Sequence, residues 1–284
     1  MKNILLPTDF SKNSWNAIRY ALSLFRDSEC AFFIINAFQV GSSGLTTKMG
    51  RANETRLYRL LREESERGLA NTLKKMEAHG ISPKHSIKTF SIADLLTNAV
   101  ARTVNSKEID LIVMGTKGAT GLKEVFLGSN AHKIIREIHS CPIILVPDEF
   151  EVYECPDTLV LATGFEHLFN PQELKPIVEI GKLCDTKVWV TYVGEEASLT
   201  TQQQGVKEAL DKQLDAVSHK FVFVDKVSSV NDTIQKMIEG NGDIHMVAMV
   251  NYWHSFFEKL TREPVIKKVS FNTAVPFMVV HLFD

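Results

Sequence analysis

The strongest constraint on this chain is that its order of elements can be read twice. Short apolar runs alternate with amphipathic stretches along all 284 residues. Ile4, Leu5 and Leu6 form a run apolar on both faces, as a strand buried between two helical layers must be, and Pro7 stops it. Trp15, Ile18, Leu22 and Phe25 then fall at helical spacing behind Ser11, a plausible N-cap. A second apolar strand is expected over 31–37, a polar loop over 39–53, and a charged helix to about His79, ended by Gly80 and Pro83. Strands over 85–90, 110–114 and 142–146 alternate with helices over 93–104 and 129–138. Such alternation calls for right-handed crossovers and a parallel sheet covered on both faces.

The second half repeats this order, with strands expected over 159–162, 187–193, 221–224, 244–250 and 276–280. Thr8 and Phe10 align with Thr163 and Phe165, and Pro142 aligns with Pro276. Pro7 to Pro142 spans 135 positions and Ala162 to Pro276 spans 114, so 21 residues are missing from the second copy. A shorter loop and helix after the second strand would absorb them. The expected architecture is therefore α/β: two tandem domains, 1–150 and 151–284, each an open parallel five-stranded sheet with helices on both faces. The linker near 148–157 is short, so the domains are expected to pack together.

Composition excludes several functions. A formal net charge of -2, with Lys/Arg interspersed among Asp/Glu, argues against nucleic acid as a partner. Four scattered cysteines lack zinc-site spacing and a disulfide framework, and reduced, packed thiols are expected. No leader pattern and no apolar run of about 18 residues is visible, so a cytoplasmic protein without a membrane span is expected. Nine histidines form no metal-ligating motif, and no Ser-His-Asp arrangement or carboxylate pair can be argued from spacing.

One constellation carries chemistry. Gly115 and Gly118 follow the fourth strand, and nine residues later Gly128 and Ser129 open the fourth helix. The first pair lets the backbone turn tightly and approach a ligand. The helix start offers free N–H groups and a positive dipole end to a phosphate, with Ser129 and Asn130 adding side-chain hydrogen bonds. Pro7, Thr8 and Asp9 sit at the end of the first strand, beside the fourth, where a doubly wound sheet opens its crevice. An acid there can accept hydrogen bonds from ribose hydroxyls or an adenine amino group. Taken singly, these residues have bland readings: glycines make turns, and Ser129 caps a helix. The loop is not a P-loop, because Lys123 does not directly follow Gly121 and no Ser/Thr comes after it.

The run ILLPTDFS, together with VMGTKG, LKEVFLGSNAHKII and CPIILVP, resembles the universal stress protein family, whose ATP-binding members carry G-x2-G-x9-G-(S/T). The resemblance implies an adenine nucleotide site for ATP, AMP or ADP, with Mg2+ accompanying the phosphates. It implies Asp9 against the nucleoside, Ala37 lining the adenine pocket, and Met114, Gly115, Gly118, Gly128, Ser129 and Asn130 around ribose and phosphate. Lys117 lies inside the loop, where it either neutralises phosphate or is simply solvated. The second half departs from the motif: Gly164 replaces Asp9, and Tyr252, Arg262 and Glu263 fall near the loop positions. A nucleotide is thus expected in the N-terminal half alone. In the family, fifth strands pair across dimers. An intramolecular pseudo-dimer is therefore expected, and a homodimer and an unidentified protein partner remain open. The implied role is regulatory, in the stress response, with at most slow ATP hydrolysis. The competing reading is a non-nucleotide interaction module in which the glycine loop is only structural.

Overall fold

The computed structural model describes residues 1–40, 48–116, 128–150, 155–251 and 274–281, side chains at 48–54 and 251 excepted. The N-terminal half runs β1 (Lys2–Pro7), α1 (Lys12–Leu24), β2 (Cys30–Phe38), α2 (Lys48–His79), β3 (His85–Ala93), α3 (Leu96–Ser106), β4 (Leu111–Gly115), α4 (Ser129–Glu137) and β5 (Ile143–Val146). The C-terminal half runs β6 (Thr158–Ala162), α5 (Pro171–Cys184), β7 (Lys187–Val193), a 3-10 turn (Glu196–Ser198), α6 (Thr201–Gln213), β8 (His219–Val224), α7 (Val230–Glu239), β9 (Ile244–Asn251) and β10 (Phe277–His281).

All ten strands form one sheet, ordered β3-β2-β1-β4-β5-β10-β9-β6-β7-β8. Within each half every pairing is parallel, which requires helical crossovers and buries both strand faces. Ile4, Leu5, Leu6, Ile34, Ile35 and Ile112 are accordingly sealed from solvent. The path β1-β2-β3 runs outward and β4 returns to the other side of β1. Right-handed crossovers therefore put α1 and α2 on one face, and α3 and α4 on the other. The halves meet where β5 and β10 pair antiparallel, Leu145 opposite Phe277 and Ile143 opposite Val279, all buried.

That seam leaves β3 and β8 as the sheet's edges. Each edge carries the same guard. Lys88 of β3 lies opposite Phe33 with its ammonium 5.3 Å from that ring. Lys220 of β8 lies opposite Trp189 at 3.8 Å. A lysine on an edge strand discourages pairing with another chain, and the ring beneath it supplies a cation–π partner.

The 21 missing residues fall where expected: residues 39–84 separate β2 from β3, whereas only 194–218 separate β7 from β8. Three expectations need correction. The helix expected after a loop over 39–53 begins at Lys48, since Lys48, Met49, Arg51 and Ala52 favour helix enough to carry Gly50. Strand β3 continues to Ala93, because nine-residue β2 supplies a partner for each of its residues, and α3 starts at Leu96. Cys155 and Cys184 are joined by a disulfide. The cause is tertiary. Thr186 Oγ1 donates to Pro156 O at 2.7 Å and Lys187 N to Asp157 O at 2.9 Å, which lays the approach to β6 beside the end of α5. Cys30 and Cys141 are buried free thiols, as expected, and burial raises their pKa values to about 11 and about 12.

Candidate functional site

β1 and β4 are neighbours in the sheet, yet the chain leaves them in opposite directions, so a crevice opens beyond their carboxyl ends. A cleft of about 560 Å3, counting its open mouth, occupies that place. Its wall comprises Pro7, Thr8, Asp9, Ser14, Asn36, Ala37, Leu96, Met114, Gly115, Asn130 and Ala131.

The turn after β1 is fixed by a chain of hydrogen bonds. Thr8 N donates to Ile35 O at 2.8 Å, which keeps the turn attached to β2. Phe10 N donates to Thr8 Oγ1 at 3.0 Å, and Thr8 Oγ1 lies 3.0 Å from Ser14 Oγ. Ser14 Oγ spends its proton on Ser11 O at 3.0 Å, so the Thr8 hydroxyl is the donor to Ser14. Phe10 adopts a left-handed backbone (φ 64°), and its N–H bond to Thr8 holds it there. Ser11 then caps α1 by accepting from Ser14 N. Asp9 projects from this braced turn, exposed, with one carboxylate oxygen accepting from Ser11 N at 3.1 Å. The other oxygen faces no recorded donor among the described residues. Asn36 Nδ2 donates to Thr8 O at 2.7 Å, leaving its amide oxygen for a ligand.

On the other side of the cleft, Gly115 ends β4 against α1. A Cβ there would lie 2.2 Å from Asn13 Oδ1, so only glycine permits this approach. Asn13 itself donates to Val146 O at 3.1 Å. α4 begins at Ser129 behind Gly128, with no side-chain cap and no acidic residue in its first turn. Gly128 N is spent on Thr116 O, and the first helical bond is His132 N to Gly128 O. The amides of Ser129, Asn130 and Ala131 therefore have no helical acceptor, which suits an anion.

Of the residues expected from sequence, Pro7, Thr8, Asp9, Ala37, Met114, Gly115 and Asn130 meet in this wall. Gly128 and Ser129 start the adjoining helix without lining the described wall. Lys117 and Gly118 lie outside the described residues, as do Tyr252, Arg262 and Glu263. Sequence reasoning missed Ser14, Asn36, Leu96 and Ala131. Asn36 had a signal: it is the one polar side chain in the apolar run 31–38.

The C-terminal half makes the same turn with other contents. Phe165 N donates to Thr163 Oγ1 at 3.1 Å, Thr163 N donates to Thr191 O at 3.0 Å, and Phe165 is left-handed (φ 53°). Sheet register then places Tyr192 at Asn36's position, Val193 at Ala37's and Val250 at Gly115's. Phe165 is fully buried and stacks on Tyr192, with centroids 5.5 Å apart, and Gln203 Nε2 binds Gly164 O at 2.9 Å. Rings and a glutamine thus stand beside this turn, where the first half has Asn36 and Ala37.

The family model described as "Universal stress protein family" matches residues 1–147. A curated relative, universal stress protein MJ0531 of Methanocaldococcus jannaschii, is 30% identical over 145 residues, covering 51% of this chain and 81% of its own length. Universal stress protein MJ0577 of the same organism is 26% identical over 158 residues, covering 51% of this chain and 94% of its own. The solved structure of a universal stress protein from Archaeoglobus fulgidus superposes with a TM-score of 0.67 at 18% identity, covering 99% of this chain and 97% of its own. That last likeness extends the shared fold through both halves.

Proposed function

The chain belongs to the universal stress protein family, and on that premise we propose that residues 1–150 form a domain that binds one adenine nucleotide, with residues 151–284 a partner domain that binds none. The observation that carries this reading is the pairing of an open cleft at the β1/β4 switch point with an uncapped helix start beside it. The base and ribose would lie toward β2, where Ala37 leaves room and Asp9 and Asn36 offer acceptors. The phosphates would lie toward α4, where the amides of Ser129, Asn130 and Ala131 point outward and Gly115 leaves the backbone bare. ATP suits this division better than AMP, because its charge reaches the helix end.

Among the described residues no group of three metal-ligating side chains exists, so Mg2+ would be held chiefly by the phosphates. Asp9 is the one titratable side chain in the described wall. With no second carboxylate among the described residues of the wall, hydrolysis would be slow and the bound nucleotide would act as a signal. The β5–β10 seam supports an intramolecular pseudo-dimer, and a regulatory stress role follows from nucleotide-dependent contacts with a protein partner. Among the described residues no helix is long and apolar enough to cross a membrane.

Calorimetric titration of the full chain with ATP, ADP and AMP tests the proposal. One site per chain is expected, weakened by about tenfold or more in Asp9→Gly, a change that imports Gly164's chemistry. Absence of heat with all three nucleotides would overturn it in favour of a protein-interaction module. Two sites per chain would overturn the assignment to one half.

A further inference from the structure

A second cavity lies on the far side of the Thr8–Ser14 turn, between α1 and α2, and shares those two residues with the first cleft. It measures about 680 Å3 with its open mouth, a size that suits a small molecule. α1 and α2 pass one another along it, the Trp15 ring of α1 meeting the His79 ring of α2 edge-on with centroids 6.2 Å apart. Trp15 and Ile18 of α1 supply an apolar wall. Phe10 lies against α2, its ring 2.4 Å from where a Cβ would stand on Gly68, so α2 comes close enough for that ring to form one wall of the groove.

Across from this apolar wall α2 contributes Glu64, Arg67 and Lys75. Arg62, on the same helix, has its charge matched by Glu66 at 2.8 Å. No ion pair forms on Arg67 or Lys75 among the described residues. Lys75 Nζ instead sits 5.9 Å from the centroid of the Trp15 ring. Two cations against one carboxylate leave the groove with a net single positive charge, beside an indole face. We infer that the α1–α2 groove binds a small monoanion with a planar apolar body, an aromatic carboxylate in chemical class. Its ring would rest on Trp15 and Ile18, and its carboxylate would lie between Arg67 and Lys75. The planar guanidinium matches a carboxylate with two parallel hydrogen bonds. The inference does not depend on nucleotide in the first cleft.

The probe is 2-naphthoate, titrated into the 15N-labelled full chain without nucleotide, with 2-naphthamide as the neutral counterpart. The chain has three tryptophans, and the indole N–H signal of Trp15 is assigned by its loss in Trp15→Phe. Naphthoate is expected to shift the Trp15 signal saturably, and to bind about tenfold more weakly to the Arg67→Gln/Lys75→Gln double variant. Both positions are exposed, so the variant should keep the wild-type spectrum elsewhere. Naphthamide should bind the wild type no better than naphthoate binds the variant. A still Trp15 signal, equal binding of acid and amide, or displacement of naphthoate by ATP in simple competition would each overturn the inference. Failure of ATP to bind at all would leave it standing and strike only the nucleotide proposal.

Discussion

Thr8 and Phe10 in one half, and Thr163 and Phe165 in the other, build the same left-handed turn on the same hydrogen bonds, but the space beyond the turn differs. In the N-terminal half Phe10 is 36% exposed and leans toward α2, and the cleft over β1 and β4 stands open. In the C-terminal half Phe165 is buried against Tyr192, and the chain there is shorter by the stretch that lengthens α2. The comparison teaches that one braced turn can be kept beside different contents, Asn36 and bare Gly115 in the first half, Tyr192 and Val250 at the same register in the second. Burying the Phe165 ring against Tyr192 stabilises the half that does so.

The halves also differ in how they are fastened. Only the C-terminal half carries a disulfide among the described cysteines, tying its approach strand to the end of α5. Closing a loop of 29 residues is worth about 3.6 kcal/mol. Cys155→Ser should therefore lower stability by about that amount in urea denaturation. Hydrogen exchange should locate the loss in β6, β7 and α5, with β1 to β4 unchanged. Equal loosening of both halves would show that they unfold as one unit.

The most direct way to erase the difference in the cleft is Gly115→Val, which installs the residue found at the same register in β9. The new Cβ would lie 2.2 Å from Asn13 Oδ1 and 3.1 Å from its carbonyl carbon, so α1 must move. A cost of about 2 kcal/mol is expected from overpacking, together with loss of nucleotide binding by calorimetry. Retained binding would show that the approach of α1 to β4 is not what shapes the cleft.

At the seam the two copies meet unequally. His281 of β10 is buried near His139, their ring centroids 5.1 Å apart, and burial, then His139, lowers its pKa to about 4. An unfolded chain titrates this group near 6.5, so its neutral form contributes fully above that value. The contribution is withdrawn as pH falls toward about 4. Between pH 7 and pH 5 about 2 kcal/mol should be lost, at roughly 1.36 kcal/mol per unit. His281→Gln should flatten that part of the stability profile, measured by thermal melts across the pH range.

Much of this was legible before any coordinates. Uninterrupted apolar runs such as Phe32 to Ile35 dictated parallel strands, and Pro7 and Gly115 marked the strand ends where a ligand crevice opens. The repeat of Thr8 and Phe10 as Thr163 and Phe165 predicted an equivalence that hydrogen bonds bear out. What could not be read was whatever depends on register between distant segments. Tyr192 faces Phe165 because β6 and β7 pair in one register and not another. Cys155 meets Cys184 for the same reason, with nothing local in their spacing to announce it.

Two helical glycines offer the smallest and cleanest comparison. Gly68 lies in α2 and Gly205 in α6, the helices that follow the second strand of each half. In a bare helix, either glycine replaced by alanine should stabilise by about 0.5–1 kcal/mol through lost freedom of the unfolded chain. At Gly205 nothing lies within 4 Å of the new methyl, so Gly205→Ala should deliver that gain. At Gly68 the methyl would meet the Phe10 ring at 2.4 Å, and the left-handed backbone of Phe10 restricts its escape. Displacement costs more than the helix gains, and Gly68→Ala should lower stability by about 1 kcal/mol. Opposite signs in parallel urea titrations would show that Phe10 holds its place in the folded chain. A gain at both sites would mean that the ring swings free, and that α2 is not registered against the Asp9 turn.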